Sequence, residues 1–292
     1  MKQLLFCIFG FFAIHAQNQA DFIIFSFDRP MQLYALLESS SVFISGLRDV
    51  FVVYRSSGDD FQSGYEIVKQ SFPQVHYLKQ RKDAKDFKQL TLKAFNASTA
   101  EYILFGVDDI IVKDDIDLHH AISAMEQYNA YGCFLRLSPY INYLYSWNRA
   151  QSIPPLQDVG DGFIWRFNQA SQISDWGYPH TVDMTVYRKK DIKDDMNRLG
   201  YYNPNSLESM WAGVTSKIRG RQGFCYATSK IVNLPLNVVQ TQFGNSNMKR
   251  KDLSPKTLLQ CFLDGKKIDL WPLYQIQNRS AHMEYEPTFI QR

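Results

Sequence analysis

The chain has 292 residues, of which 45% are hydrophobic and 21% charged, a balance that suits one large globular domain or two small ones. Its formal net charge of +3 is too small a bias to argue for a nucleic-acid partner. The aromatic share is 15%; such rings can line sugar or base sites or fill cores, and composition does not separate these uses.

The N-terminus has the layout of a secretory signal. Lys2 precedes an apolar stretch over 4–14, interrupted only by Gly10, and a polar segment follows from about Ala16. The apolar run falls short of the roughly 20 residues that span a bilayer. Cleavage after Ala16 is therefore expected, with residence in a secreted, periplasmic or lumenal compartment. An uncleaved anchor is the alternative, and only then is membrane association expected. Ile14 is an unusual residue so close to a cleavage point. Cys7 lies in this segment, and the remaining Cys133, Cys225 and Cys261 are widely spaced. They form no metal-binding pattern and read as buried thiols, with at most one disulfide.

Residues 21–27 read as an apolar strand, stopped by Asp28, Arg29 and Pro30, which start a helix. Asp28 is a candidate cap and Pro30 suits the first turn. A second strand is expected at 50–54, a helix through Tyr65, Val68 and Phe72 closed by Pro73, and a short strand at 75–78. Phe87, Leu90, Thr91, Ala94 and Phe95 give the next helix its apolar face. A fourth strand follows at 102–107, a helix at 115–128 and a strand at 132–137. Alternation of this kind predicts an α/β fold with a mainly parallel sheet flanked by helices. Beyond Pro139 the pattern weakens. The stretch 140–161 reads as a long loop, the kind that often serves as a lid or binding loop. Strands are expected at 163–167, 181–188 and 225–234, and helices through Leu207–Trp211–Val214 and Leu258–Phe262. With no internal repeat and no low-complexity linker, one domain over 21–292 is the simplest account, with halves at 21–138 and 139–292.

The fourth strand, YILFGV, ends in Asp108 and Asp109. Carboxylates at the end of a buried parallel strand lie in the crevice where open α/β sheets bind ligands. They repel each other unless a cation, a hydrogen-bond network or water compensates them. A divalent ion bridging a diphosphate would serve, and so would a plain polar turn open to water. No GxGxxG, Walker lysine or GxSxG elbow is present, which argues against dehydrogenases, P-loop NTPases and α/β-hydrolases.

The strings FIIFSFDRP, VFVVYRSS and YILFGVDDI together resemble the nucleotide-binding half of a GT-A fold glycosyltransferase, closest to the family 2-like group. The resemblance covers about 21–118 and implies a nucleotide-diphospho-sugar donor, UDP-linked by preference, with Mn²⁺ or Mg²⁺. It puts Phe27, Asp28 and Arg29 by the base, Tyr54 and Arg55 on the uridine side, Asp108 at the ribose and Asp109 at the metal. Val107 stands where many relatives carry a third acidic residue, so the motif is xDD.

An inverting transferase needs a carboxylate to deprotonate its acceptor hydroxyl. Glu208, in NPNSLESMWAG, is the first candidate, because the resemblance implies an acidic residue at a comparable helix start; a glutamate there could equally just offset the helix dipole. Asp183 on TVDMTVY is the competitor. Asp175 and Trp176 in SDWGYPH resemble an acceptor loop, although a surface turn would look similar. His180 and His282 are possible ligands but lone histidines are more often structural. His119 and His120 read as solvated, as do Lys249, Arg250 and Lys251. The alternatives are a nucleotidyltransferase, which would normally show a glycine-rich basic loop after its first strand, and an exported carbohydrate-binding or host-interaction protein without turnover.

Overall fold

The computed structural model describes residues 19–81, 83, 85–237 and 253–292. The segment read as a secretory signal and the basic triplet Lys249, Arg250 and Lys251 lie outside them. Among the described residues, nine strands build the main sheet: β1 (Ala20–Phe27), β2 (Leu47–Arg55), β3 (His76–Lys79), β4 (Tyr102–Val107), β5 (Gly132–Phe134), β6 (Gln157–Asp158), β7 (Phe163–Arg166), β8 (Thr185–Arg188) and β9 (Gln222–Cys225). Their order is β6-β7-β9-β5-β8-β4-β1-β2-β3.

β1 runs parallel to β2 and β4, and β2 parallel to β3. The near-continuous apolar runs of β1 and β4 explain their central place, since both of their faces are covered. Successive residues of a strand point to opposite faces. Phe22 and Ile24 accordingly pack against α1 (Pro30–Phe43) and α2 (Asp59–Ser71), while Ile23 and Phe25 pack with Phe87, Ala94 and Phe95 of α3 (Phe87–Ala97). The alternating strand-helix order expected for the first hundred residues is borne out, with element ends shifted by a few residues.

Four local expectations are corrected. Asp28 does not cap α1; its backbone is left-handed at φ 53° and its Oδ1 accepts from Ser57 N at 2.8 Å, so the carboxylate ties two strand ends together. Of 181–188 only Thr185–Arg188 is strand, because Met184, at φ 47°, turns the chain beforehand. The stretch 225–234 is divided. Its polar middle separates β9 from Ile231–Asn233, which pairs with Ile110–Val112 in a second, two-stranded sheet. The 140–161 stretch is partly ordered as a hairpin, Tyr143–Leu144 against Arg149–Ala150.

Four further helices complete the scaffold: α4 (Leu118–Gln127), α5 (Lys189–Arg198), α6 (Pro204–Ala212) and α7 (Pro255–Leu263). α5 escaped the sequence reading because only Ile192 and Met196 of its ten residues are buried. Cys133 and Cys225 are buried and Cys261 half-buried, all as free thiols. No helix of the described residues is long and apolar enough to cross a membrane.

Gly106 lets β4 sit tightly on its neighbour. A Cβ there would lie 2.7 Å from the Phe22 ring. Gly106→Ala should destabilise the fold by about 1–3 kcal/mol through overpacking. Urea unfolding measures it, and an unchanged midpoint would mean that the Phe22 ring yields without cost.

Candidate active site

Because β1, β2 and β4 are parallel, their carboxyl ends deliver Arg29, Arg55, Asp108 and Asp109 to one sheet edge. β8 is inserted antiparallel between β4 and β5, so its beginning lies at that same edge. Met184 N donates to Phe105 O at 3.0 Å, and Leu135 N donates to Met184 O at 3.1 Å. Asp183, before β8, is thereby brought from the other half of the chain to the side of the carboxylate pair, where Arg136, after β5, acts on it.

The two aspartates are held by one guanidinium. Arg29 Nη1 lies 3.0 Å from Asp108 Oδ1 and 3.0 Å from Asp109 Oδ2. Its Nε donates to Asn237 Oδ1 at 2.9 Å and its Nη2 to the Asn237 carbonyl. Burial works against the arginine's charge, but the two carboxylates outweigh it and hold its pKa above the ordinary value. Asp108 Oδ2 accepts from Phe27 N at 3.1 Å. Burial pushes the Asp108 carboxyl up to about 6 against the pull of Arg29, and the Asp109 charge adds to the rise. Asp109 Oδ1 is buried with no hydrogen-bond partner. An orphaned carboxylate oxygen is a hard ligand that fits a divalent cation. No group of three His, Cys, Asp or Glu side chains that could hold a metal occurs among the described residues.

On the expected base side, the Arg55 guanidinium lies over the half-buried Phe27 ring, 3.7 Å from its centroid. Tyr54 is 1% exposed, its ring tilted against that of Tyr65 at 4.5 Å, and its hydroxyl accepts from Gln62 Nε2 at 3.3 Å. Its ring therefore supports the strand end from within and does not line the nucleoside side, a correction that follows from the inward direction of alternate strand positions. Asp28 braces the loop through Ser57, as described above.

The acceptor-side candidates converge. Asn203 and Ser206 form a capping box at the start of α6, and no acidic residue lies in that helix's first turn. Glu208 sits beyond it, so its place is not explained by the helix dipole. Its Oε1 accepts from Thr181 Oγ1 at 2.7 Å and from Val182 N at 2.8 Å, which fixes it beside Asp183. Burial, reinforced by the Asp183 charge, raises Glu208 to about 7. Burial also raises Asp183, against the pull of His282 and Arg136, and the charges of Asp109 and Asp175 add to the rise. His282 Nε2 is 3.9 Å from Asp183 Oδ2. The Asp175 carboxylate accepts from Gln151 Nε2 at 2.8 Å.

Trp176 is corrected outright. It is 1% exposed, its indole N–H donates to Ile141 O at 2.9 Å, and Trp165 stands edge-on to its ring at 5.0 Å. Its indole face has no room for a sugar because the pattern SDWGYPH buries its tryptophan as a core anchor. His180 is structural: it stacks on Trp211 at 4.7 Å, and burial lowers it to about 4. His120 is half-buried, its Nδ1 within 3.1 Å of Tyr226 Oη.

Two residues of the site were missed. Arg136 is 2% exposed, and its Nη2 donates to the carbonyls of Asp175 and Tyr178, both at 3.0 Å, while its Nη1 is buried without a partner. Its signal was visible: an arginine inside the apolar run CFLRL is rarely buried without a purpose. Asn237 carried no such signal.

Glu208 makes stability depend on pH. Below pH 4.5, its ordinary value, folded and unfolded chains both hold the proton, and nothing is lost. Between that pH and about 7 only the unfolded chain releases it, so stability falls as pH rises. Glu208→Gln should therefore be more stable than the parent by about 3 kcal/mol at pH 8 and nearly equal to it at pH 4. Parallel pH profiles in chemical denaturation would show that Glu208 ionises freely.

No family model matches the chain. It is 27% identical over 216 residues to the bifunctional glycosyltransferase pgtA of Dictyostelium discoideum, covering 66% of this chain and 28% of that protein. The chain thus spans under a third of the length of this curated relative. The S. aureus TarS structure with UDP is 13% identical, with a TM-score of 0.47 over 72% of this chain and 58% of that one. CMP:2-keto-3-deoxy-manno-octonic acid synthetase complexed with CTP is 11% identical, with a TM-score of 0.40 over 71% of this chain and 89% of that one. Likeness at these levels carries no chemistry across. The sequence likeness to pgtA agrees with the resemblance read from the strand ends: this chain is similar to a glycosyltransferase.

Proposed function

We propose that this chain is a glycosyltransferase that moves a sugar from a nucleotide diphosphate, UDP by preference, to a hydroxyl acceptor with inversion. The observation that carries the reading is the meeting at one sheet edge of Asp109 with the acceptor-side pair Asp183 and Glu208, contributed by opposite halves of the chain. One carboxylate set suits the leaving diphosphate's side of the reaction, and the other suits the incoming hydroxyl.

Two neighbouring half-buried carboxylates do not ionise independently, and they titrate as a pair. Glu208, fixed by Thr181 and Val182, is suited to hold the shared proton. Asp183 feels the charge of Asp109 and is the nearer to the donor end, which makes it the base in this reading. Its carboxylate takes the acceptor's proton, the acceptor oxygen bonds to the anomeric carbon, and the bond to the diphosphate breaks with its electron pair leaving on phosphate. Arg136 and His282 both pull Asp183 toward its charged form, the form a base needs. Asp109, through its unpartnered Oδ1, would hold Mn²⁺ or Mg²⁺ beside the diphosphate. Such an ion, when bound, supplies positive charge for the leaving group. In the same reading, the N-terminal segment exports the protein into a compartment furnished with nucleotide sugars.

Calorimetry with a panel of nucleotide sugars, followed by donor hydrolysis, tests this. Asp109→Ala should abolish Mn²⁺-dependent donor binding. Asp183→Asn should cut turnover by about 10²–10⁴-fold at unchanged donor affinity, the usual size of a lost general base. Glu208→Gln should slow turnover less. A chain that binds no nucleotide sugar under any metal condition would end the proposal.

A further inference from the structure

Arg29 stands between Asp108 and Asp109, bonded to each through Nη1 at 3.0 Å. Three of the four carboxylate oxygens are already engaged: Asp108 Oδ1 and Asp109 Oδ2 by Arg29, and Asp108 Oδ2 by Phe27 N. Only Asp109 Oδ1 is left without a partner. The arginine is itself clamped. Asn237 accepts from it through both side chain and backbone and donates onward from Nδ2 to Leu253 O at 2.9 Å.

A divalent ion seeking the same carboxylates meets two obstacles. It would compete for Asp109 Oδ2, and it would stand within a few ångströms of a guanidinium of like charge, which disfavours both. We propose that Arg29 and the divalent ion are alternative partners of the Asp108–Asp109 pair, with Arg29 the resident one. Metal binding requires Arg29 to give up Asp109. The apparent affinity is then reduced by the fraction of molecules in which the arginine holds the pair. A released guanidinium is a planar fork that matches phosphate oxygens, so a donor diphosphate arriving with the ion gives it a second partner. Metal and nucleotide diphosphate should consequently bind better together than apart.

The inference rests on the metal-assisted reading, and the test separates the two. Mn²⁺ alone is titrated into the full chain, with free Mn²⁺ followed by electron paramagnetic resonance. Arg29→Gln should bind Mn²⁺ about tenfold more tightly than the parent, as expected where a competing state is dominant. The gain should vanish in the Arg29→Gln, Asp109→Ala double variant. Asn237→Ala, which keeps the arginine but loosens its clamp, should shift affinity the same way by a smaller factor, and it decides the matter if Arg29→Gln does not fold. Unchanged or weaker Mn²⁺ binding in the folded variants, at a site that still needs Asp109, overturns the inference and leaves the metal reading standing. Absence of Mn²⁺ binding from parent and variants alike ends both.

Discussion

Two adjacent carboxylates at the end of a buried strand cannot be left uncompensated, and the arrangement of the whole site follows from how that charge is met. The compensator is one guanidinium, delivered by the turn after β1 and clamped by Asn237 near the far end of the chain. A buried ion pair of this kind contributes little net stability over an apolar replacement, but losing either partner leaves a stranded charge. It therefore acts mainly as a constraint: the first strand, the central strand and the region around Asn237 must meet at one point. The orphaned Asp109 Oδ1 is the one place where that neutralisation is incomplete.

The second constraint is topological. A purely parallel continuation of the sheet would have placed the beginning of the strand beside β4 at the opposite edge from Asp108. Antiparallel insertion of β8 turns its beginning toward the carboxylate end. The left-handed Met184 then sets Asp183 off the strand, and the contacts of Thr181 and Val182 with Glu208 fasten α6 beneath it. Strained non-glycine backbone is tolerated where the surroundings over-determine it, and such positions gather at functional sites. His282 reaches the cluster because Ala281 and Met283 are hydrogen-bonded to the Ile231–Asn233 strand, which in turn pairs with the strand following Asp109.

Burial decides the chemistry available to these groups. Glu208 rises to about 7 and Asp108 to about 6 chiefly because water is excluded, and neighbouring charges then adjust each of them. His180 moves the other way for the same reason and leaves the roster of candidates. Environment, more than residue type, separates a working carboxylate from a spectator.

The sequence by itself determined the strand-helix alternation of the first half, the parallel core of β1, β2 and β4, and the gathering of Asp108 and Asp109 at the carboxyl end of that core. These are readable because hydrophobic periodicity and strand ends are local properties of the chain. It also named Asp183 and Glu208, though without a reason to join them. Tertiary structure alone decided that they meet, that Arg29 serves the carboxylates, that Arg136 belongs to the site, and that Trp176 and Tyr54 are core. Each of those outcomes depends on which distant segment covers a side chain. Coverage is fixed by strand order and crossing direction, and neither is written in any local run of residues.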